Sequence, residues 1–271
     1  MWDADVDKLW GSDMTEFLKI EKDGHLLRVT LNRPERRNAL STPICHGLID
    51  LPAQVEADMD IRCVVFTGAG EGFCSGANLK ERKEGDETTR WNYVGLVCHA
   101  LLDIEKIPVP VIAAVNDHAL GGGTELALGC DIRLAVQHAN FGLTETGIGI
   151  IPTGSIVRLL RDGYNALNSL LTYTVGRFSA AQMLEIGFIR QVADDVPQLM
   201  DRADALARQI AQNAPLASRA AKKVKRTLAV TKTAEAVADA KAIRRTLDGT
   251  AGCPEGLPSF AEKRDPVFIG R

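Results

Sequence analysis

Apolar and polar residues alternate in two short segments near the start of the chain, at residues 17–21 and 26–31. This period-two pattern predicts strands that are buried on one face, and Asp23-Gly24 between them predicts the turn of a β-hairpin. Residues 1–14 precede the hairpin, and we interpret them as an accessory extension. The main fold is therefore expected to begin with a hairpin at about residue 15.

Buried strands and helices are expected to alternate from residue 42 to about residue 195. Thr42-Pro43 places a capping hydroxyl before a first-turn proline and predicts a helix that Pro52 kinks or interrupts. Short apolar runs at 62–67 and 111–115 predict buried strands, and the apolar spacing of residues 88–107 predicts a helix between them. Such alternation is typical of the α/β class.

Strand patterns stop after residue 197, and the last part of the chain is predicted to be helical. Residues 198–212, 215–230 and 233–248 are rich in Ala, Leu, Arg and Lys and predict three helices. The predicted regions are therefore an extension at 1–14, a core at 15–197 and a helical section at 198–271. The tail of this section packs either on its own core or on a neighbouring subunit, and the sequence leaves both arrangements open.

Composition and charge narrow the functional class. The 271 residues carry a formal charge of −3 without a basic patch or stripe, which argues against a nucleic-acid surface. No apolar run approaches the roughly 18 residues of a membrane helix, and the acidic N-terminus lacks the apolar region of a signal peptide. We therefore expect a cytoplasmic protein with neither nucleic-acid nor membrane partners.

Cysteine and histidine spacing predicts neither disulfides nor a metal site. The six cysteines form no Cys-x-x-Cys pair and are interpreted as small buried hydrophobes. The five histidines show no His-Glu-x-x-His pattern, and no dinucleotide fingerprint, nucleophile elbow or Walker A loop is present. The remaining candidates for chemistry are carboxylates and backbone groups.

Three consecutive glycines and two acids stand in the stretch from Ala119 to Gly149. Gly121 to Gly123 follow a predicted buried strand and precede a short apolar helix, whose first amides have no intrahelical acceptor. Because Gly122 has no Cβ, a ligand oxygen can approach its amide closely, which suits an oxyanion hole. A tight turn that packs a helix explains the glycines equally well.

A second backbone donor and two carboxylates complete the candidate site. Residues 73–78 follow the strand at 62–67 and should reach the same edge of the sheet as the glycines. Glu125 has an ordinary explanation as a negative charge near a helix N-terminus, and Glu145 as a solvated loop acid. As neighbouring carboxylates in different environments, they could instead divide the roles of base and acid.

Several segments together resemble the crotonase, or enoyl-CoA hydratase/isomerase, superfamily, from about residue 17 to the tail. They are LNRPERRNAL (31–40), GFCSGANLKE (72–81), IPVPVIAAVNDHALGGGTELALGCDIRLA (107–135), FGLTETGIGIIPTG (141–154) and FSAAQMLEIGFIRQV (178–192). The resemblance implies a spiral α/β core of ββα turns, with C-terminal helices that assemble homotrimers or homohexamers. It also implies an acyl-CoA thioester substrate, of which coenzyme A is a part, and no separate cofactor.

The resemblance implies a role for individual positions. The amides that bind the thioester carbonyl fall on Ala77 and Gly122, and the two hydratase glutamates fall on Glu125 and Glu145. Because both glutamate positions are filled, hydration is favoured over isomerisation. The other positions implied in substrate binding are Arg37, Ala39, Asn78, Leu79, Lys80 and Gly121, with Arg36 as an alternative to Arg37 near the nucleotide phosphates.

We therefore expect an enoyl-CoA hydratase that adds water reversibly across the 2,3 double bond of a 2-enoyl-CoA. The alternatives are an enoyl-CoA isomerase or a C–C hydrolase or lyase of the same fold, and a non-catalytic acyl-CoA-binding subunit. Two departures from the family pattern bear on the substrate. Asn78 stands where aspartate is common, and residues 152–156 (PTGSI) replace the usual glycine-rich run.

Overall fold

The structure, a computed structural model, describes residues 16–213, 215, 218–223 and 252–264. The predicted extension at 1–14, the predicted helix at 233–248 and most of the predicted helix at 215–230 lie outside these residues. Within them, no helix is both long and apolar enough to cross a membrane.

Strands and helices alternate through most of the chain, as the sequence predicts. The strands are β1 (Leu18–Asp23), β2 (Leu26–Leu31), β3 (Cys63–Gly68), β4 (Val111–Val115), β5 (Ala119–Leu120), β6 (Ile132–Val136), β7 (Asn140–Gly142), β8 (Phe178–Ser179) and β9 (Gln191–Ala193). The α-helices are α1 (Thr42–Ala57), α2 (Leu79–Lys83), α3 (Glu87–Asp103), α4 (Gly122–Gly129), α5 (Thr153–Arg161), α6 (Asn165–Thr174), α7 (Ala180–Glu185), α8 (Val196–Ala211) and α9 (Gly252–Glu262).

The main sheet has the strand order β1-β2-β3-β4-β6-β9 among the described residues. β1 and β2 form the predicted antiparallel hairpin, and the later strands extend it in parallel. β3 and β4 are buried nearly throughout, which explains their continuous apolar sequences. A smaller sheet has the order β5-β7-β8, and its strand β5 leads directly into the glycines at the start of α4.

α1 runs through Pro52 without interruption, so that part of the expectation is wrong. Proline in a helix interior removes one main-chain hydrogen bond, at a typical cost of ~3 kcal/mol. Leu48, Leu51 and Val55 of the same helix are fully buried, and each such side chain contributes ~1.5–3 kcal/mol. Their burial outweighs the local cost of the proline.

α8 lies on the main sheet, and most of it falls in the predicted helical section at 198–271. Leu199, Ala203 and Ala207 are fully buried, and the helix packs against β2, β3, β4, β6 and β9. Arg28 of β2 also donates a hydrogen bond to Asp204 at 2.6 Å. The C-terminal helical section therefore begins with a helix that packs on the main sheet.

α9 is a helix that the sequence does not predict, because its segment contains glycine and proline residues that disfavour a helix interior. It packs against a short 3-10 helix at Thr146–Ile148, and Leu257 contacts the buried pair Ile148 and Ile150. α9 therefore packs on its own chain. Most of the tail for which the sequence leaves two arrangements open, at 265–271, lies outside the described residues.

Cys45, Cys63, Cys74, Cys98 and Cys130 are buried and form no disulfide with one another, in agreement with their interpretation as small hydrophobes. Burial raises the pKa of the Cys63, Cys74 and Cys130 thiols to about 12, so they stay protonated at neutral pH. Burial likewise raises the pKa of Cys45. These groups are packing residues rather than nucleophiles.

Candidate active site

One cavity of about 410 Å³ brings the predicted site residues together. Its lining includes Arg37, Ala39, Ala77, Asn78, Leu79, Lys80, Gly122, Glu125 and Glu145. Gly121 is the predicted residue that does not line the cavity. It lies beside the lining, because a Cβ built on Gly121 would be 3.1 Å from Oε1 of Glu145.

The loop after β3 is held against the start of α4 by a close backbone approach. Cys74 and Ala119 form a short parallel bridge. Two residues on, Gly76 has a φ of +91°, and a Cβ built there would be 2.8 Å from the carbonyl oxygen of Leu120. Glycine tolerates both this φ and this approach, which a larger residue would not. The two loops predicted to supply backbone donors therefore meet.

The backbone amides of Ala77 and Gly122 are neighbours at the cavity wall. A Cβ built on Gly122 would be 3.5 Å from the amide nitrogen of Ala77. Gly122 is the first residue of α4, where amides have no intrahelical acceptor. Neither amide donates to a backbone acceptor within the described part of the chain. Two adjacent donors at a helix N-terminus are suited to an oxygen that gains negative charge.

Tyr93 of α3 fixes the loop that carries Ala77. Its hydroxyl donates to the carbonyl oxygen of Leu40 at 2.5 Å and accepts from the amide of Asn78 at 2.7 Å. Burial raises the pKa of Tyr93 well above its usual range, so the hydroxyl remains a donor. A tyrosine in an apolar helix is most often a core residue, and the sequence therefore carries no signal for this function.

Asn78 makes two side-chain hydrogen bonds in the loop that carries Ala77. Its side-chain oxygen accepts from the amide of Lys80 at 3.2 Å, which caps α2. Its side-chain nitrogen donates to Oε1 of Glu81 at 2.6 Å. An ionised aspartate has no donor for Glu81 and would repel it. Asparagine therefore matches the neighbouring glutamate.

Glu125 is enclosed by the first turns of α5, and its residue exposure is only 6%. The hydroxyl of Ser155 donates to Oε2 at 3.3 Å, and Nη1 of Arg158 lies 3.6 Å from Oε1. A Cβ built on Gly154 would be 1.8 Å from Oε1. The segment that departs from the family pattern at residues 152–156 thus contacts this acid directly.

Glu145 is half-buried at the start of a one-turn 3-10 helix. Its carbonyl oxygen accepts from the amides of Ile148 and Ile150, which fixes its backbone. The amide of Glu125 donates to the carbonyl oxygen of Gly121, and Oε1 of Glu145 would be 3.1 Å from a Cβ built on the same glycine. Both acids therefore flank the N-terminus of α4.

The cavity has apolar walls and a basic rim. Its apolar lining includes Val94, Val97 and Leu101 of α3 and Ile148, Ile150 and Pro152 of the segment after Glu145. Three lining cations are exposed to solvent, namely Arg36, Arg37 and Lys80. This distribution suits a ligand with an apolar part inside and an anionic part at the solvent end.

Arg158 is the main residue that the sequence does not identify, and the contact of Gly154 and Ser155 with Glu125 is likewise not visible in it. The charges of α5 are typical of a solvated helix face, yet Arg158 is fully buried. These residues lie close to Glu125 because α5 packs against α4, a contact that spacing along the chain does not reveal. A departure from the family pattern at 152–156 is the one sequence signal that points to this region.

Comparison with known proteins identifies the family. The sequence model described as enoyl-CoA hydratase/isomerase matches residues 21–271. The enoyl-CoA hydratase EchA19 of Mycobacterium tuberculosis is 38% identical over 256 residues, which cover 93% of this chain and 96% of that protein. The carnitinyl-CoA dehydratase of Escherichia coli is 34% identical over 271 residues, with coverages of 95% and 100%.

A solved structure agrees with these sequence relations. The crystal structure of an enoyl-CoA hydratase from Bacillus anthracis has a TM-score of 0.75 and 35% sequence identity, and the alignment covers 94% of this chain and 100% of that one. The resemblance, the mixed α/β architecture and the family match therefore agree. The chain belongs to the enoyl-CoA hydratase/isomerase family and is an enzyme of the crotonase type.

Proposed function

We propose that the protein is an enoyl-CoA hydratase, which converts a 2-enoyl-CoA thioester and water reversibly into a 3-hydroxyacyl-CoA. One observation carries the proposal: two neighbouring backbone amides and two glutamates line the same largely apolar cavity. The two amides can donate hydrogen bonds to the carbonyl oxygen of a thioester, and the two acids can transfer the protons that the addition of water requires. The name of the relative EchA19, an enoyl-CoA hydratase, is in line with it.

In the proposed mechanism, the thioester carbonyl accepts hydrogen bonds from the amides of Ala77 and Gly122. These bonds strengthen as the oxygen gains the charge of an enolate, and each donor contributes ~3–4 kcal/mol to the transition state. Glu125 takes a proton from the water whose hydroxyl adds to the β-carbon. Glu145 donates a proton to the α-carbon. One water is consumed, and the two acids exchange protons with bulk water after turnover.

The coenzyme A part of the substrate is proposed to enter at the basic rim. Arg36, Arg37 and Lys80 would pair with its phosphates, since guanidinium and ammonium groups form charge-assisted hydrogen bonds with phosphate oxygens. Ala39 and Leu79 would line the passage of the thiol arm toward the amides. No separate cofactor is required, because the chain supplies the carbonyl donors and both acids.

Product analysis by mass spectrometry tests the proposal with a panel of thioesters: but-2-enoyl-CoA, branched and aromatic 2-enoyl-CoAs, and a 3-enoyl-CoA. We expect at least one 2-enoyl thioester to gain the mass of one water. Conversion of the 3-enoyl thioester without a mass change, and with no hydration, would identify an isomerase instead. Cleavage products would identify a C–C hydrolase or lyase, and binding without turnover would identify a non-catalytic subunit.

The assembly is proposed to be a homotrimer or homohexamer, as the family resemblance implies. Leu170 and Tyr173 of α6 and Leu184 of α7 are 45%, 80% and 41% exposed. Exposed apolar groups of this kind are typical of surface that an assembly covers. Light scattering in solution should give three or six times the mass of the chain, and a monomeric mass would contradict the proposal.

A further inference from the structure

Arg158 is a fully buried cation that lies between two carboxylates. Its Nε is 2.7 Å from Oε1 of Glu105, and its Nη1 is 3.6 Å from Oε1 of Glu125. Its Nη2 donates to the carbonyl oxygen of Leu101 at 2.6 Å, which fixes the plane of the guanidinium. A buried charge is costly unless it is paired, so the position of Arg158 depends on these partners.

Glu105 shares its negative charge between two arginines. Arg161 donates to both of its carboxylate oxygens, at 3.0 and 3.1 Å. Burial opposes the ionisation of Glu105, but the charge of Arg158 and the bonds from Arg161 outweigh burial and hold its pKa below the usual range. Glu105 is therefore ionised at neutral pH. Because the charge of Glu105 is shared between Arg158 and Arg161, it neutralises Arg158 only in part. Arg158 therefore also attracts a second carboxylate, which is Glu125.

We propose that Arg158 is a positioning residue that keeps Glu125 ionised and oriented as the base that activates water. Arg158 is not among the described residues that line the cavity, so it acts through Glu125 rather than on the substrate. Ser155 donates to Oε2, whereas Arg158 faces Oε1, and the two contacts together fix the plane of the carboxylate. The inference rests on the proposed hydratase function. It identifies Glu125 as the base because the positive charge of Arg158 lies beside this acid.

Other titratable groups surround Glu125 or its arginine. Glu145, Cys98 of α3 and Arg82 of α2 line the same cavity, Cys130 follows α4, and Glu105 acts through Arg158. Burial raises the pKa of Cys130 to about 12, so this thiol is neutral. In the proposed mechanism Glu145 carries the proton that it donates, so it places no negative charge beside Glu125. Arg158 is then the charged side chain within 4 Å of the Glu125 carboxylate among the described ion pairs.

The pH profile of hydration tests this role. Arg158→Met removes the charge at similar volume, and we expect the acidic limb of kcat/KM for but-2-enoyl-CoA to move upward by about one pH unit or more. The value of kcat at neutral pH should fall ~10–100-fold, the range typical of lost supporting contacts. Arg158→Lys keeps a cation and should return the limb close to its wild-type position.

Glu105→Gln is the matched control, because it breaks the same buried ion pair but removes no cation. Arg158 keeps its hydrogen bond to the carbonyl oxygen of Leu101 and its contact with Glu125. Both variants should lower the melting temperature, but only Arg158→Met should move the acidic limb upward. A limb that stays in place, or moves equally in both variants, would show a purely structural role. Should Arg158→Met not fold, Arg158→Gln provides the second variant, because it also removes the charge but keeps a polar side chain. An unmoved limb in Arg158→Gln would overturn the inference.

A measurement without turnover separates this inference from the proposed function. The ¹³C NMR signal of the Glu125 carboxyl group, assigned by its loss in Glu125→Gln, reports ionisation directly. We expect its titration midpoint to rise in Arg158→Met and not in Glu105→Gln. An unchanged midpoint overturns the inference even if the wild-type protein hydrates its substrate. Absence of hydration across the thioester panel, together with a raised midpoint, overturns only the proposed function.

Discussion

Replacing Glu125 or Glu145 by glutamine should lower kcat for hydration of but-2-enoyl-CoA by ~10²–10⁴-fold, the usual contribution of a general acid or base. Glutamine has nearly the same shape as glutamate, but it neither takes nor supplies the proton. Loss of the conjugated thioester absorbance measures the rate, and circular dichroism checks that the fold is retained. The binding constant for a saturated acyl-CoA should change far less than kcat.

Glu185→Gln is the matched control for these variants, because Glu185 lies exposed on α7, outside the residues that line the cavity. It should retain wild-type turnover. Near-normal turnover in both Glu125→Gln and Glu145→Gln would refute the assignment of the acids. Loss in only one of them would leave a single acid–base residue and favour isomerisation.

Gly154→Ala should lower kcat by ~10²-fold, the scale expected for a displacement of about 1 Å in a catalytic group. The added Cβ would lie 1.8 Å from Oε1 of Glu125, so the carboxylate has to move. Because Gly154 is at the start of α5 and not at a positive φ, alanine itself is compatible with the backbone. Steady-state kinetics should show a larger change in kcat than in KM.

Gly95→Ala is the control for the glycine substitution, since a Cβ at Gly95 of α3 meets nothing within 4 Å. It should leave kcat unchanged. A double variant, Gly154→Ala with Glu125→Gln, should be no slower than Glu125→Gln alone if the alanine acts through this acid. A full further loss in the double variant would show that Gly154 acts by another route.

Local patterns predict most of the fold because the apolar residues follow the burial of each element. They alternate in strands that are buried on one face and are continuous in β3 and β4, which are buried nearly throughout. The hairpin of β1 and β2 and the buried runs of β3 and β4 follow from periodicity alone. Prediction fails where packing overrides propensity. α1 continues through Pro52, and α9 forms in a segment with glycines and prolines. Helical periodicity also predicts α8, but it does not show that this helix packs on the sheet.

The residue types of the candidate site are likewise visible in the sequence, because backbone donors and acids occur in motifs of fixed spacing. Ala77, Gly122, Glu125 and Glu145 are predicted from these motifs, and all four line one cavity. The sequence does not distinguish the two acids, since each has an ordinary local explanation. Their difference arises from neighbours that belong to other elements.

The sequence by itself determined the family, the order of strands and helices over most of the chain, and the choice of two acids and two amides as candidates for the site. Only the tertiary structure decided that Gly154, Ser155 and Arg158 of α5 surround Glu125. The physical reason is that burial and charge depend on through-space distances of a few ångströms. Spacing along the chain places a carboxylate in a helix, but packing between helices places the cation beside it.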